Sequence, residues 1–248
     1  MNRTAVIQSH RTPLPYRWIE ACLESVRDWS DLNDYTYRFI GDELFAQVPA
    51  DLLAKLSDQL TVASDLARLL VLQNVLKEGF GTVIWLDADF LIFDPSAFVI
   101  PDQSSAVGRE VWVQHDRHGK LKTYKKVHNA FLMFRSDNSL LDFYSDTAIR
   151  LLSKNEGDIP PQFIGPKLLT ALHNVAIFSV MESAGMLSPL VITDILSGEG
   201  AALDQFIAHS PEAIAGANLC VSSCQKGDVS DVQMEQLVNM LKRKGLHR

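Results

Sequence analysis

The chain has 248 residues, of which 47% are hydrophobic and 21% charged, enough apolar material for a large core without disulfides or structural metals. Its formal net charge is −7 at pH 7, which argues against a nucleic-acid partner and confines any phosphate site to a local patch. No apolar run approaches the roughly 20 residues of a membrane span, so no transmembrane segment is expected. Residues 1–10 lack the apolar stretch of a signal peptide. The three cysteines, Cys22, Cys220 and Cys224, read as reduced thiols of a cytoplasmic protein. Neither a Pro/Gly/Ser-rich linker nor a shift in composition divides the chain, so residues 1–248 read as a single domain.

A strand is predicted over 4–8, running into a polar loop with Pro13 and Pro15. Over 16–29, Trp18, Ile19, Cys22, Leu23 and Val26 recur at helical spacing. A second strand is predicted over 35–40, then a polar loop-and-helix stretch over 41–60. Ser64 reads as an N-cap with Asp65 in the first turn of a helix over 66–77, and Gly79 is placed to end it. Residues 82–86 are apolar on both faces, as in a central strand covered on both sides, and end at Asp87-Ala88-Asp89. Another apolar run, 90–93, is broken by Asp94-Pro95.

Further strands are predicted over 106–114, 120–126 and 129–134, with a hairpin turn at 116–119. A helix over 138–152, a loop over 160–165 and a helix over 166–173 with Pro166 at its first position follow. Beyond residue 178 the pattern weakens until a terminal helix over 232–244. Alternating strands and helices imply an α/β fold with a mainly parallel sheet covered on both faces. Ligands of such sheets bind beyond the carboxyl ends of the strands, which is where Asp87 and Asp89 fall.

Carboxylates two apart at a strand end can face the same way, and their oxygens suit hard cations such as Mg²⁺ and Mn²⁺. An isolated Asp-x-Asp more often ends a strand in a turn. The preceding helix adds an independent signal: Asp65 and Arg68, three apart, share a helix face within an otherwise apolar stretch, where charge is costly unless paired or bound to a ligand. Arg117, Lys120, Lys122, Lys125 and Lys126 make the hairpin basic, and a solvated face is the commoner role for such a run. Trp18 and Trp112 stand in periodic segments, where an aromatic ring more often belongs to the core than to a surface that stacks a sugar or base.

Ser64-Asp65-Leu66-Ala67-Arg68, followed by Gly79-Phe80-Gly81-Thr82-Val83-Ile84-Trp85-Leu86-Asp87-Ala88-Asp89, resembles the shared segment of sugar transferases with a DXD motif. These are the glycosyltransferases of family 32 (yeast α-mannosyltransferases and bacterial capsule enzymes) and, more distantly, the large clostridial glucosylating toxins. Weaker likenesses are Ile7-Gln8-Ser9-His10 to the first strand near the nucleotide base, and His128-Asn129-Ala130-Phe131 to the strand after the motif. Gly165-Pro166-Lys167-Leu168-Leu169-Thr170 is similar to the helix start that faces the sugar, and Ala208-His209-Ser210 to a late segment that can supply a metal-binding His.

The resemblance implies a GT-A fold and a metal-dependent, retaining hexosyltransferase that uses a nucleotide-sugar donor and Mn²⁺ or Mg²⁺. Asp87, Asp89 and His209 would hold the metal. Asp65, Arg68, Asp87 and Asp89 would form the catalytic group. Gln8, Ser64, Asn129, Gly165 and Pro166, with Asp65, Arg68 and Asp87, would bind the donor. The acceptor stays open among a glycan, a lipid-linked glycan and a protein. A non-catalytic sugar-nucleotide or glycan-binding module is the alternative from another class. A sugar-nucleotide pyrophosphorylase fits less well, because 9–13 lack the glycines of a triphosphate-binding loop.

Overall fold

The computed structural model describes residues 3–160 and 162–246. In chain order the strands and helices are β1 (Thr4–Ser9), α1 (Arg17–Leu32), β2 (Thr36–Ile40), α2 (Ala50–Lys55), α3 (Leu60–Lys77), β3 (Thr82–Leu86), β4 (Phe90–Ile92), β5 (Ser105–His115), β6 (Leu121–Arg135) and α4 (Leu140–Lys154). They continue with α5 (Leu168–Ala176), β7 (Ser179–Met181), β8 (Ala184–Met186), α6 (Pro189–Ser197), α7 (Ala201–His209), β9 (Gly216–Asn218), α8 (Val221–Gln225) and α9 (Asp231–Lys244). No helix among the described residues is long and apolar enough to cross a membrane.

The main sheet has six strands in the order β2-β1-β3-β6-β5-β7. β1 pairs in parallel with β2 and β3, and β5 with β7, while β6 runs antiparallel to both β3 and β5. The sheet is therefore mainly parallel, with β6 alone reversed. Side chains alternate across it as the pleat dictates. Ala5, Ile7, Val83, Trp85, Leu132 and Phe134 face a core built on α3 and α4. Val6, Ile84, Met133 and Ala130 face a core that includes Val26 and Trp29 of α1. All five residues of β3 are buried, as expected of a strand covered on both sides. A second sheet, β4-β9-β8, sits just past β3 in the chain and draws the late segment Gly216–Asn218 back against Phe90–Ile92.

Three local expectations are corrected. α3 begins at Leu60, so Ser64 lies inside the helix and its hydroxyl donates to the Leu60 carbonyl at 2.9 Å rather than capping. Buried Val62 and Ala63 carry the apolar surface back into that added turn. The basic and apolar strands expected over 120–126 and 129–134 are one strand, β6. Its register slips against β5: Val107 pairs with Leu132 and Gly108 with His128, so 129–131 bulge between them. Pro166 does not open α5; it lies in a π-helical turn, Phe163–Lys167, which is kinked at Gly165 (φ −83°, ψ −123°). Of the loop expected over 160–165, Pro161 lies outside the described residues. The terminal helix is α9, closed at its start by a reciprocal Ser230/Gln233 capping box.

Candidate active site

β1 and β3 are parallel neighbours, so their carboxyl ends emerge together. Asp87 follows β3 directly, its backbone N–H bonded to the Ala130 carbonyl of β6 at 2.9 Å. Its Oδ1 accepts from Arg68 Nη1 at 2.8 Å and from Trp85 Nε1 at 2.7 Å. Arg68 also donates to the Asn129 carbonyl at 2.9 Å and pairs with Asp65 Oδ1 at 3.2 Å. Asn129, carried on the β6 bulge, donates its amide to the same Asp65 oxygen at 2.8 Å. Asp65, Arg68, Asp87 and Asn129 thus form one connected network across α3, β3 and β6.

Burial makes this network costly unless it is complete. Asp65 and Arg68 are 4% and 7% exposed. Desolvation raises the Asp65 pKa, and Arg68 and Asn129 oppose it. For Arg68, burial works against the charge, but Asp87 and Asp65 more than offset it, so the guanidinium stays protonated. Gly165 closes over the network. A Cβ there would stand 2.3 Å from Asp65 Oδ2, so no larger residue fits without moving the carboxylate. Gly165→Ala is expected to cost about 1–3 kcal/mol in a thermal or denaturant melt; a melt matching the wild type would mean that the π-turn yields freely.

Asp89 is held from a different quarter. Its Oδ1 accepts Asn218 Nδ2 at 2.7 Å, and its Oδ2 accepts the Val221 N–H at 2.7 Å. Both donors come from the end of β9 and the start of α8. Burial and the neighbouring Asp87 charge push the Asp89 pKa up to about 6. The sign of the linkage follows: a carboxyl that binds its proton more tightly when folded contributes stability below about 3.8, and loses it as pH rises towards about 6. Buried His128, held down to about 4 by desolvation, titrates in the opposite sense over the same range, so wild type alone hides the effect. Asp89→Asn removes one of the two. Its stability relative to wild type should rise by about 2–3 kcal/mol between pH 4 and pH 7, read from paired melts; a difference that does not change with pH would count against a perturbed Asp89.

These groups sit at the waist of a two-lobed cleft. One lobe, about 460 Å³, is lined by the ends of β1 and β2, among them Ser9, His10, Arg11 and Asp42. The other, about 650 Å³, is lined by Asp65, Asn129, Pro166 and the β5–β6 hairpin. Arg68, Asp87 and Asp89 border both lobes. A separate cavity of about 460 Å³ near Phe143 and Ile177 is lined, among the described residues, by no ionisable side chain.

The expected residues are therefore placed unevenly. Asp65, Arg68, Asp87, Asp89, Asn129 and Pro166 line the cleft, Ser64 lines its smaller lobe, and Gly165 packs behind Asp65. Gln8 is fully buried: it donates to the Asp87 carbonyl at 3.1 Å and accepts from Tyr37 at 3.1 Å, so it supports the turn after β3. His209 is exposed on α7, its Nδ1 against the Gln205 carbonyl, and lines neither lobe. No group of three or more His, Cys, Asp and Glu suited to a metal is gathered among the described residues. Asn218 and Val221, the residues that do reach Asp89 from the late segment, carry no pattern in the sequence that would mark them. Trp85 is an indole two residues from Asp87 in the sequence, and the fold turns its N–H onto that carboxylate.

Over 95% of its length the chain is similar to a solved glycosyltransferase involved in glycosylation of the major capsid of PBCV-1, of which it covers 98%, with a TM-score of 0.51 and 11% identity. Over 98% of its length it is similar to an active-site mutant of LgtC, of which it covers 100%, with a TM-score of 0.50 and 11% identity. No protein-family model and no curated protein matches the chain. At these identities the likeness establishes the architecture: the chain has the GT-A fold, a mainly parallel α/β sheet with helices on both faces.

Proposed function

We propose that this protein is a metal-dependent glycosyltransferase, of the kind its 62–95 segment resembles in family 32, that transfers a hexose from a nucleotide-sugar to an acceptor with retention at the anomeric carbon. The observation that carries the reading is the position of Asp87 and Asp89, adjoining carboxylates at the end of a central strand and at the waist of a two-lobed cleft. A nucleotide-sugar has the matching form: two bulky ends joined by an anionic diphosphate.

The donor set suits Mg²⁺ or Mn²⁺, which are held by one or two carboxylates completed by substrate phosphates and water. Asp87 and Asp89 are hard oxygen ligands close enough for one charge to raise the pKa of the other, and a divalent cation relieves that repulsion. Two protein donors take up Asp87 Oδ1, but none among the described residues reaches its Oδ2, and each Asp89 oxygen has a second lone pair beyond the one its donor uses. Bound there, the metal would neutralise charge on the departing nucleoside diphosphate. His209 has no part in this set.

Arg68 holds Asp87 in place, and Asp65, fixed by Arg68 and Asn129, presents its remaining oxygen capacity to donor hydroxyls. The β1/β2 lobe takes the nucleoside. In the transfer the acceptor oxygen bonds to the anomeric carbon as the bond from that carbon to the diphosphate oxygen breaks. The electron pair leaves with the nucleoside diphosphate, and the hydroxyl proton passes to the departing oxygen on the same face. The protein's contribution is position and charge.

The test is a thermal-shift screen of nucleoside diphosphates and nucleotide-sugars with and without Mn²⁺. A nucleotide at 100 times its Kd adds about 2.7 kcal/mol, and the stabilisation is expected only with metal. A screen in which no nucleotide stabilises the protein under either condition overturns the reading.

A further inference from the structure

Part of the larger lobe's wall is the outer half of the β5–β6 hairpin, and its composition is not that of a phosphate site. Along β5, Val111 and Val113 are buried in a core shared with α6 and α7, while Glu110, Trp112 and Gln114 stand on the other face and line the cleft. Their register partners on β6 are Lys126, Tyr124 and Lys122, of which Lys126 and Tyr124 line it too. On β5 one face is core, and the opposite face of the ribbon presents aromatic rings among hydrogen-bonding groups.

Trp112 is the exception among the four tryptophans. Trp18, Trp29 and Trp85 are no more than 2% exposed, whereas Trp112 is half-buried. Its indole N–H is held by Gln114 Oε1 at 3.0 Å, which steadies the ring on the cleft wall. Tyr124 lies under two ammonium groups, Lys122 Nζ at 5.1 Å and Lys126 Nζ at 5.7 Å from its centroid. Glu110, beside them, accepts no hydrogen bond from any described side chain, and its half-buried carboxylate is open to a donor.

A pyranose needs this combination. Its axial C–H face is apolar and packs on an aromatic plane, while its equatorial hydroxyls donate and accept in the ring's own plane. Trp112 supplies the plane, Glu110 an acceptor, Lys126 a donor, and Gln114 an amide. A lipid chain would need a continuous apolar wall, which charged Glu110 and Lys126 interrupt.

We infer that Trp112 and Tyr124, flanked by Glu110 and Lys126, form the acceptor subsite, and that the acceptor is a glycan whose terminal pyranose lies on Trp112. The word acceptor rests on the glycosyltransferase reading; the saccharide platform does not.

The protein is titrated with methyl glucoside, methyl galactoside, methyl mannoside and lactose, with nucleoside diphosphate and Mn²⁺ present. Tryptophan emission should change saturably with at least one of them, since Trp112 is the half-buried indole. Trp112→Phe should abolish the emission change yet still bind the sugar in calorimetry. Trp112→Ala should weaken that binding about tenfold. The inference is overturned if none of the four saccharides binds, or if Trp112→Ala binds as tightly as wild type. Nucleotide stabilisation without saccharide binding removes the subsite and leaves the glycosyltransferase reading standing. Saccharide binding through Trp112 without any nucleotide stabilisation keeps the platform and removes that reading.

Discussion

Arg68→Ala is expected to lower the melting temperature by about 10 °C. Arg68 is 7% exposed, and its guanidinium joins Asp87 at 2.8 Å, the Asn129 carbonyl at 2.9 Å and Asp65 at 3.2 Å. Its removal strands Asp65, which is 4% exposed and whose pKa burial already raises, against a single remaining donor from Asn129. Breaking a buried pair by deleting one partner costs about 3–5 kcal/mol, because the other charge stays buried. The indole of Trp85 also loses the cation 5.2 Å from its ring centroid. Arg68→Lys should recover part of the loss, since an ammonium restores charge but cannot span three acceptors in fixed geometry. Scanning calorimetry decides: a shift of only about 2 °C would mean that water reaches Asp65 and that the network is weakly desolvated.

The second large effect is on activity. Asp87→Asn and Asp89→Asn are each expected to lower turnover roughly 10²–10³-fold and to abolish metal-dependent nucleotide binding. Their effects on folding should be much smaller than that of Arg68→Ala. An amide oxygen at 87 still accepts from Arg68 and Trp85, and Arg68 retains Asp65. At 89 the amide loses one of two donors, Asn218 or Val221, but no longer buries a charge next to Asp87. Donor hydrolysis and manganese-dependent stabilisation measured beside the melts separate the two roles. Wild-type turnover in either variant would remove that carboxylate from the chemistry, and a collapsed melt with lost activity would make it structural.

The contrast between Arg68 and the two carboxylates could not be drawn from the sequence. Asp65 and Arg68 stand out there because charge in an apolar helix is conspicuous, and the sequence supports ligand binding and a helix-start ion pair about equally. The structure shows Arg68 spent on neighbouring protein groups, which makes it first a support for Asp87. Trp112 went the other way. Its segment is periodic, which favours the core, but in a ribbon with one face buried the alternate residues meet the cleft. The same period-two pattern describes both faces, and only packing of α6 and α7 on Val111 and Val113 decides which is inside.

Short-range patterns did determine a good deal: β3 as a central strand, Asp87 and Asp89 at its end, the amphipathic α1 with Trp18, Ile19, Cys22, Leu23 and Val26 inside, and an α/β fold with a mainly parallel sheet. Each depends on side-chain periodicity within one element, which burial imposes directly on neighbouring residues, or on the order in which such elements alternate. The tertiary structure alone decided who completes the site. Asn129 reaches Asp65 across 64 positions, and Asn218 and Val221 reach Asp89 across 129 and 132. His209, marked by its local sequence, is left exposed on α7. Partners so far apart in the chain leave no local pattern, because their meeting is set by how β4, β9 and the β6 bulge pack, and the free energy of that packing is spread over the whole core.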